Sequence, residues 1–194
     1  MTEGLRRAVL AVAVLNLGYF GIEFAVALAI GSVSLFADSI DFLEDTSLNL
    51  LILIALGWTA RNRARLGMGL AGLLLVPGLA TLWTAWEKFL TPVPPEPLPL
   101  SLAGGGALAV NLACSLILVR YRHASGSLTR AAFLSARNDA MANVAIIGAG
   151  LVTAVTLSAW PDLVVGLAIA AVNADAAREV YSAARLERAA EPET

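Results

Sequence analysis

Six apolar runs fill this chain of 194 residues almost end to end, and each is close to the roughly 20 residues that a helix needs to cross a bilayer. They lie at about 8–30, 34–57, 66–90, 99–119, 128–157 and 160–183, bounded by charge, Gly, Pro or Trp. Unpaired strand edges cannot be satisfied in hydrocarbon, and the alternation of an outer-membrane barrel is absent, so all six runs are expected to be helices. The predicted fold is all-α: a polytopic membrane protein with one six-helix domain over 1–188 and a short charged tail over 189–194. Composition agrees. The chain is 58% hydrophobic and only 14% charged, with a mean hydropathy of +0.76, whereas a soluble domain is roughly half apolar and a quarter charged. Arg6 and Arg7 precede a stretch too long for a signal h-region, so that stretch is read as the first span.

Positive charge sets the orientation. Arg6 and Arg7 precede span one, Arg61, Arg63 and Arg65 follow span two, Arg120, Arg122 and Arg130 surround the link between spans four and five, and Arg178, Arg185 and Arg188 follow span six. With six alternating spans all of them fall on one side, while the links at 31–34, 91–99 and 157–161 carry no Arg or Lys. Both termini are therefore predicted to be cytoplasmic. The proline-rich stretch Thr91 to Pro99 is read as a stiff extramembrane connection. Trp58, Trp83, Trp86 and Trp160 fall near span ends, where an amphipathic ring suits the headgroup level. Clustering of the arginines at helix boundaries argues against nucleic acid as a partner.

The informative residues are the polar ones in the wrong solvent. A carboxylate at mid-bilayer costs at least a few kcal/mol, so a helix carrying several needs a compensating cation, proton or water cavity. Span two carries Asp38, Asp41, Glu44 and Asp45. Asp41 and Asp45 are four residues apart, so they project from one helical face and could grip a single ion; Asn49 extends that face by a turn. Span five repeats the spacing with Ser135, Asp139 and Asn143. Two polar faces deep in two helices are expected to look at each other. Asp41, Asp45 and Asp139, completed by Ser135 or an asparagine carbonyl, would give about four ligands for a transition-metal dication. Without the dication some of these carboxylates must hold protons, so metal arrival should release protons, which is the basis for expecting metal and proton exchange. Asp38 and Glu44 lie off the face of the pair and are placed in helix contacts or an outward approach path. Glu23 and Asn16 in span one, and Asn173 and Asp175 in span six, are further intramembrane polar residues, Asp175 being expected to pair locally with Arg178.

Other residues take bland readings. Cys114, the single cysteine, allows neither an intrachain disulfide nor a thiolate cluster and is read as a small buried hydrophobe. His123 belongs to the arginine-rich link and is expected on the surface. Gly104, Gly105 and Gly106 lack the strand and the Lys-Ser or Lys-Thr pair of a phosphate loop, and close helix packing accounts for them.

The stretch Gly31-Ser32-Val33-Ser34-Leu35-Phe36-Ala37-Asp38-Ser39-Ile40-Asp41-Phe42-Leu43-Glu44-Asp45 resembles the second-span signature of the cation diffusion facilitators, in which an Asp or His is followed four residues later by Asp. Trp86-Glu87-Lys88-Phe89-Leu90-Thr91-Pro92 resembles the end of that family's third span, and Arg137-Asn138-Asp139-Ala140-Met141-Ala142-Asn143 falls where its fifth-span motif should be. The resemblance runs from Leu10 to Arg185. It implies a homodimer of six-helix protomers in the cytoplasmic membrane, exporting zinc or a related dication by alternating access and proton antiport, with no permanently bound cofactor and no enzymatic activity. It maps the transport site onto Asp41, Asp45, Ser135 and Asp139, with Asn138, Asn49, Asn143, Asp38 and Glu23 as auxiliary candidates. The family usually has His where this chain has Ser135. Loss of that imidazole leaves an oxygen-only set, opens manganese, iron or cobalt beside zinc, and makes Asn138 or water alternatives for the fourth ligand. Many relatives carry a cytoplasmic metal-sensing domain after span six, which is not expected here because the chain runs into the tail Glu191-Pro192-Glu193-Thr194. The alternative reading is a non-transporting membrane scaffold or partner protein related to these transporters.

Overall fold

A computed structural model describes residues 3–55, 62, 69, 78–121 and 127–189, with the backbone alone at 52, 55, 127–135, 176–177 and 179–189. Six helices run through them: α1 (Glu3–Ile30), α2 (Val33–Ala55), α3 (78–90 in its described part), α4 (Pro97–Val119), α5 (Ser127–Thr156) and α6 (Trp160–Ala189). Trp58, Arg61, Arg63, Arg65, Arg122, His123 and the tail from 190 lie outside the described residues, as does the first half of predicted span three.

The bundle buries polar groups beside an apolar core and exposes an apolar wall outside. Leu102, Leu116 and Val155 are 67%, 69% and 85% exposed, while Asn16, Glu23, Asp38 and Asn143 are fully buried. Exposed apolar surface on this scale is what a lipid-facing wall requires, and the chain is accordingly an all-α, multi-pass membrane protein. By length and apolarity alone, α1, α4 and Ala136–Thr156 of α5 qualify as spans among the described residues. Helix α2 does not, because Asp38, Asp41, Glu44 and Asp45 sit within it. It is also the central element, packed against α1, α4, α5 and α6. The main apolar cluster joins Ala27 of α1, Leu35, Phe36 and Ile40 of α2, Leu100 of α4, Ile146 of α5 and Ile169 of α6.

Glycines mark the closest crossings. A Cβ on Gly104 would meet Ile146 of α5 at 2.9 Å, and one on Gly106 would overlap the Tyr19 hydroxyl of α1, so two of the three clustered glycines serve close packing. On α6, a Cβ on Gly166 would lie 2.7 Å from the backbone carbon of Val33.

That last crossing brings Asp162, in the first turn of α6, over the start of α2. Helix α1 ends on Gly31 (φ 63°), with Ser32 N–H bonded back to the Ala27 carbonyl at 3.0 Å, a Schellman-type stop that needs the left-handed residue. Ser32 Oγ then accepts from Leu35 N–H at 3.1 Å and caps α2. Asp162 Oδ1 receives Ser32 Oγ and Ser34 Oγ, both at 2.6 Å, and Ser34 N–H at 3.1 Å. Its Oδ2 receives Val33 N–H at 2.9 Å and Lys88 Nζ at 3.2 Å. Lys88 Nζ also donates to the Gly31 carbonyl. Both charges are buried, and the carboxylate sits where the α2 dipole favours an anion.

Three sequence expectations shift. The stretch Thr91 to Pro99 is not wholly a connection: α4 begins at Pro97, with Pro99 in its first turn, where a missing N–H costs nothing. Asp175 and Arg178 are both exposed and make no ion pair with each other among the described residues. Trp86 and Trp160 do more than anchor singly, since Phe89 stacks on Trp86 and meets Trp160 edge-on, each at 6.0 Å between ring centroids.

Asp162→Ala leaves Lys88 buried without its anion and strips acceptors from the start of α2, a loss of about 3–5 kcal/mol. The purified protein in detergent should therefore melt well below the wild type, while Glu87→Ala, at an exposed neighbour, should not; equal melting temperatures for the two variants would contradict this.

Candidate functional site

Eight residues of α2 carry four carboxyl groups, and their spread over two turns brings them against different neighbours. Asp38 faces α1 and α5. It is fully buried, and its Oδ2 accepts from Asn143 Nδ2 at 2.5 Å, while Asn143 Oδ1 accepts from Asn111 Nδ2 of α4 at 2.9 Å. The Glu23 carboxyl of α1 lies against that of Asp38. Among the described residues no amide, hydroxyl or ammonium donor reaches Glu23 Oε1, Glu23 Oε2 or Asp38 Oδ1. Two carboxyl groups in contact inside hydrocarbon need a positive charge, proton or metal, to offset their repulsion. Tyr19, one turn before Glu23, donates from its hydroxyl to the Ala103 carbonyl of α4 at 2.6 Å and packs on Phe42 with centroids 5.2 Å apart.

Asp45, two turns beyond Asp38, meets α1 and α4. It is 6% exposed, and its Oδ2 accepts from Asn16 Nδ2 at 3.2 Å. The Asn16 carbonyl in turn accepts from Cys114 Sγ at 3.3 Å. Asn49 bonds from Nδ2 to the Asp45 backbone carbonyl at 2.7 Å, and its own Oδ1 is buried with no donor among the described residues.

Asp41 faces α5 and α6. It is half-buried and lines a cavity of about 390 Å³ together with Asn138, Asp139 and Met141 of α5 and Val172 and Asn173 of α6. Among the described residues none that lines it is basic. Asn138 is exposed, its Oδ1 accepting from Arg137 at 3.3 Å. Glu44 opens on a separate cavity of about 430 Å³ between α3 and α6.

The ladder read from sequence is thus partly assembled. Asp41 and Asp139 come together, with Asp45 within electrostatic reach of Asp41. Asp38, Glu23 and Asn143 form a second polar group, joined to the α4 helix by Asn111. Among the described residues no three Asp, Glu, His or Cys side chains converge tightly enough to hold a metal ion. Ser135 stands one turn before Asp139 in α5 and its side chain lies outside the described residues. Sequence reading missed Asn111, whose signal was a lone amide in an otherwise apolar span. It also missed the Lys88 to Asp162 pair, whose signal was two opposite charges at span ends predicted on one side. Cys114 is buried as expected but serves as a hydrogen-bond donor as well.

Compared with known families, residues 9–186 match the model described as the cation efflux transmembrane domain. No curated protein matches the chain.

The Asn111, Asn143 and Asp38 chain yields a stability test. Asn143→Leu strands an amide of Asn111 and an oxygen of Asp38 and should cost about 1–3 kcal/mol. Adding Asn111→Leu should cost less than its own single effect, because the second orphan disappears with it. Melting temperatures of the two singles and the double would reveal this, and strict additivity would exclude the coupling.

Proposed function

Because the chain belongs to the cation efflux family, whose members are membrane transporters of cations rather than enzymes, we propose that it carries a divalent metal ion across the cytoplasmic membrane in exchange for protons. Asp41, Asp45 and Asp139 take the ion, and Ser135, Asn138 or water completes its shell. The observation that carries this reading is the cavity that Asp41 of α2 and Asp139 of α5 line together. Carboxylates brought together in one cavity attract a dication, and an all-oxygen shell suits zinc, manganese, ferrous iron or cobalt. The six helices serve as six spans with both termini cytoplasmic, an arrangement supported by the arginine distribution. Export and a homodimeric assembly are what the resemblance to cation diffusion facilitators implies.

Rocking of helices around the site would expose it to one side and then the other, drawing Asp45 in beside Asp41 and Asp139 when the ion binds. Protons compete with the metal for the same carboxylates, so binding should weaken as pH falls. The proposal predicts that Asp45→Ala or Asp139→Ala abolishes metal uptake driven by a pH gradient in proteoliposomes. Unchanged uptake would refute the site and would favour a scaffold that needs no stoichiometric metal.

Replacement of Ser135 tests the fourth position separately. Ser135→His supplies a nitrogen ligand, which zinc accepts better than manganese does, so the ratio of zinc to manganese transport should rise. A ratio that does not move would remove Ser135 from the shell.

A further inference from the structure

Asp45, like Asp38, is held by an asparagine that is itself held, and of the two it is Asp45 that the proposed function gives to the ion. Asn16 of α1 is fully buried, and both ends of its amide are engaged: Nδ2 donates to Asp45 Oδ2 at 3.2 Å, and Oδ1 accepts from Cys114 Sγ at 3.3 Å. A thiol can donate a weak hydrogen bond. By donating to the carbonyl end it fixes which way the amide faces, since a flipped amide would set oxygen against the Asp45 carboxylate and lose the thiol bond as well. Asn49 holds the Asp45 backbone carbonyl, so the residue is constrained at main chain and side chain alike. Three helices, α1, α2 and α4, meet in this relay.

We infer that Asn16, aligned by Cys114, is the positioning residue that sets the Asp45 carboxylate for the transported cation and thereby tunes which dication is preferred. This inference rests on the proposed metal transport through Asp45. An amide N–H on one carboxylate oxygen restricts rotation of the group about its Cβ–Cγ bond and draws charge from it. Outer partners of this kind orient ligands and tune their donor strength. Zinc, which favours few ligands at short distance, loses more from a loosened carboxylate than manganese, which tolerates larger oxygen shells.

The test uses the full-length protein in proteoliposomes, with Zn²⁺ and Mn²⁺ as separate substrates and rates normalised to folded protein. Asn16→Leu removes the amide at similar size, and KM for Zn²⁺ should rise about 10- to 100-fold. KM should rise by more than the maximal rate falls, and the zinc-to-manganese preference should decline. Asn16→Gln, which keeps a donor, should recover much of the affinity. Cys114→Ala frees the amide to turn and should shift KM for Zn²⁺ in the same direction by less. A purely structural role would lower the amount of folded protein and leave KM and the metal preference where they were, and that result in Asn16→Leu overturns the inference. Should Asn16→Leu not reach the membrane, an unshifted KM in Cys114→Ala overturns it equally. Retained transport in Asp45→Ala would sink the underlying site and this inference together. Loss of transport there beside an unshifted Asn16→Leu sinks the inference alone.

Discussion

A carboxyl group in hydrocarbon has only the protein to turn to, and α2 brings four of them into the bundle between residues 38 and 45. Much of the architecture follows from that constraint. Because the groups are spread over two turns, they meet different neighbours at different heights, and α2 is packed against α1, α4, α5 and α6 at once. Polar residues on those neighbours then gather inward, Glu23 and Asn16 on α1, Asn111 on α4, and Asp139 and Asn143 on α5. Exposed apolar side chains on the outside are left for lipid, while the polar groups lie inside beside an apolar core.

The buried acids fall into two electrostatic kinds. Asp162 is saturated: five donors converge on its two oxygens, one of them the Lys88 ammonium. Such a group is a structural rivet, because any movement of α6 relative to the start of α2 breaks charge-assisted bonds in a dry environment. Asp38 and Glu23 are the opposite case. Among the described residues three of their oxygens find no amide, hydroxyl or ammonium donor, and Asn143 supplies Asp38 with one amide hydrogen. Where donors are scarce around an acid, a proton or a cation has to balance its charge. A saturated anion at the start of α2 and an undersupplied pair farther in therefore meet the same constraint in different ways.

Much of this was legible beforehand, and for a physical reason. Apolar length and arginine bias are set by the membrane, not by tertiary detail, so the helix order and the polar character of α2 and α5 could be read directly. The four-residue spacing of Asp41 to Asp45 and of Ser135 to Asp139 likewise follows from helical periodicity alone. Periodicity does not give which neighbour crosses a helix at each height along its axis. For that reason Asp41 and Asp45, one turn apart on one face, reach different neighbours, one a cavity beside Asp139 and the other an amide on α1. The same limit hid the Lys88 and Asp162 pair, which are 74 residues apart in sequence and meet only because Gly166 lets α6 cross the start of α2 at backbone contact. Prolines misled in a smaller way: the run from 92 to 99 reads as loop, yet Pro97 and Pro99 fit the one helical turn whose N–H groups have no partner to lose.

The asparagines bear on what the centre of the bundle can hold. From sequence, an amide carbonyl looked able to complete a metal shell. The carbonyl of Asn143 is occupied by Asn111 and that of Asn16 by the Cys114 thiol, and both residues present N–H toward carboxylates instead. These amides therefore act as donors that steady negative charge and are poorly placed to act as oxygen ligands. On the proposed reading the coordination then falls mainly to Asp41, Asp45 and Asp139. Three carboxylates carry one charge more than a dication neutralises, and in hydrocarbon that surplus is costly enough to favour retention of a proton beside the metal. Departure of the metal would raise the demand for protons further, so an acid-only site couples the two cations through electroneutrality, without a histidine to relay between them.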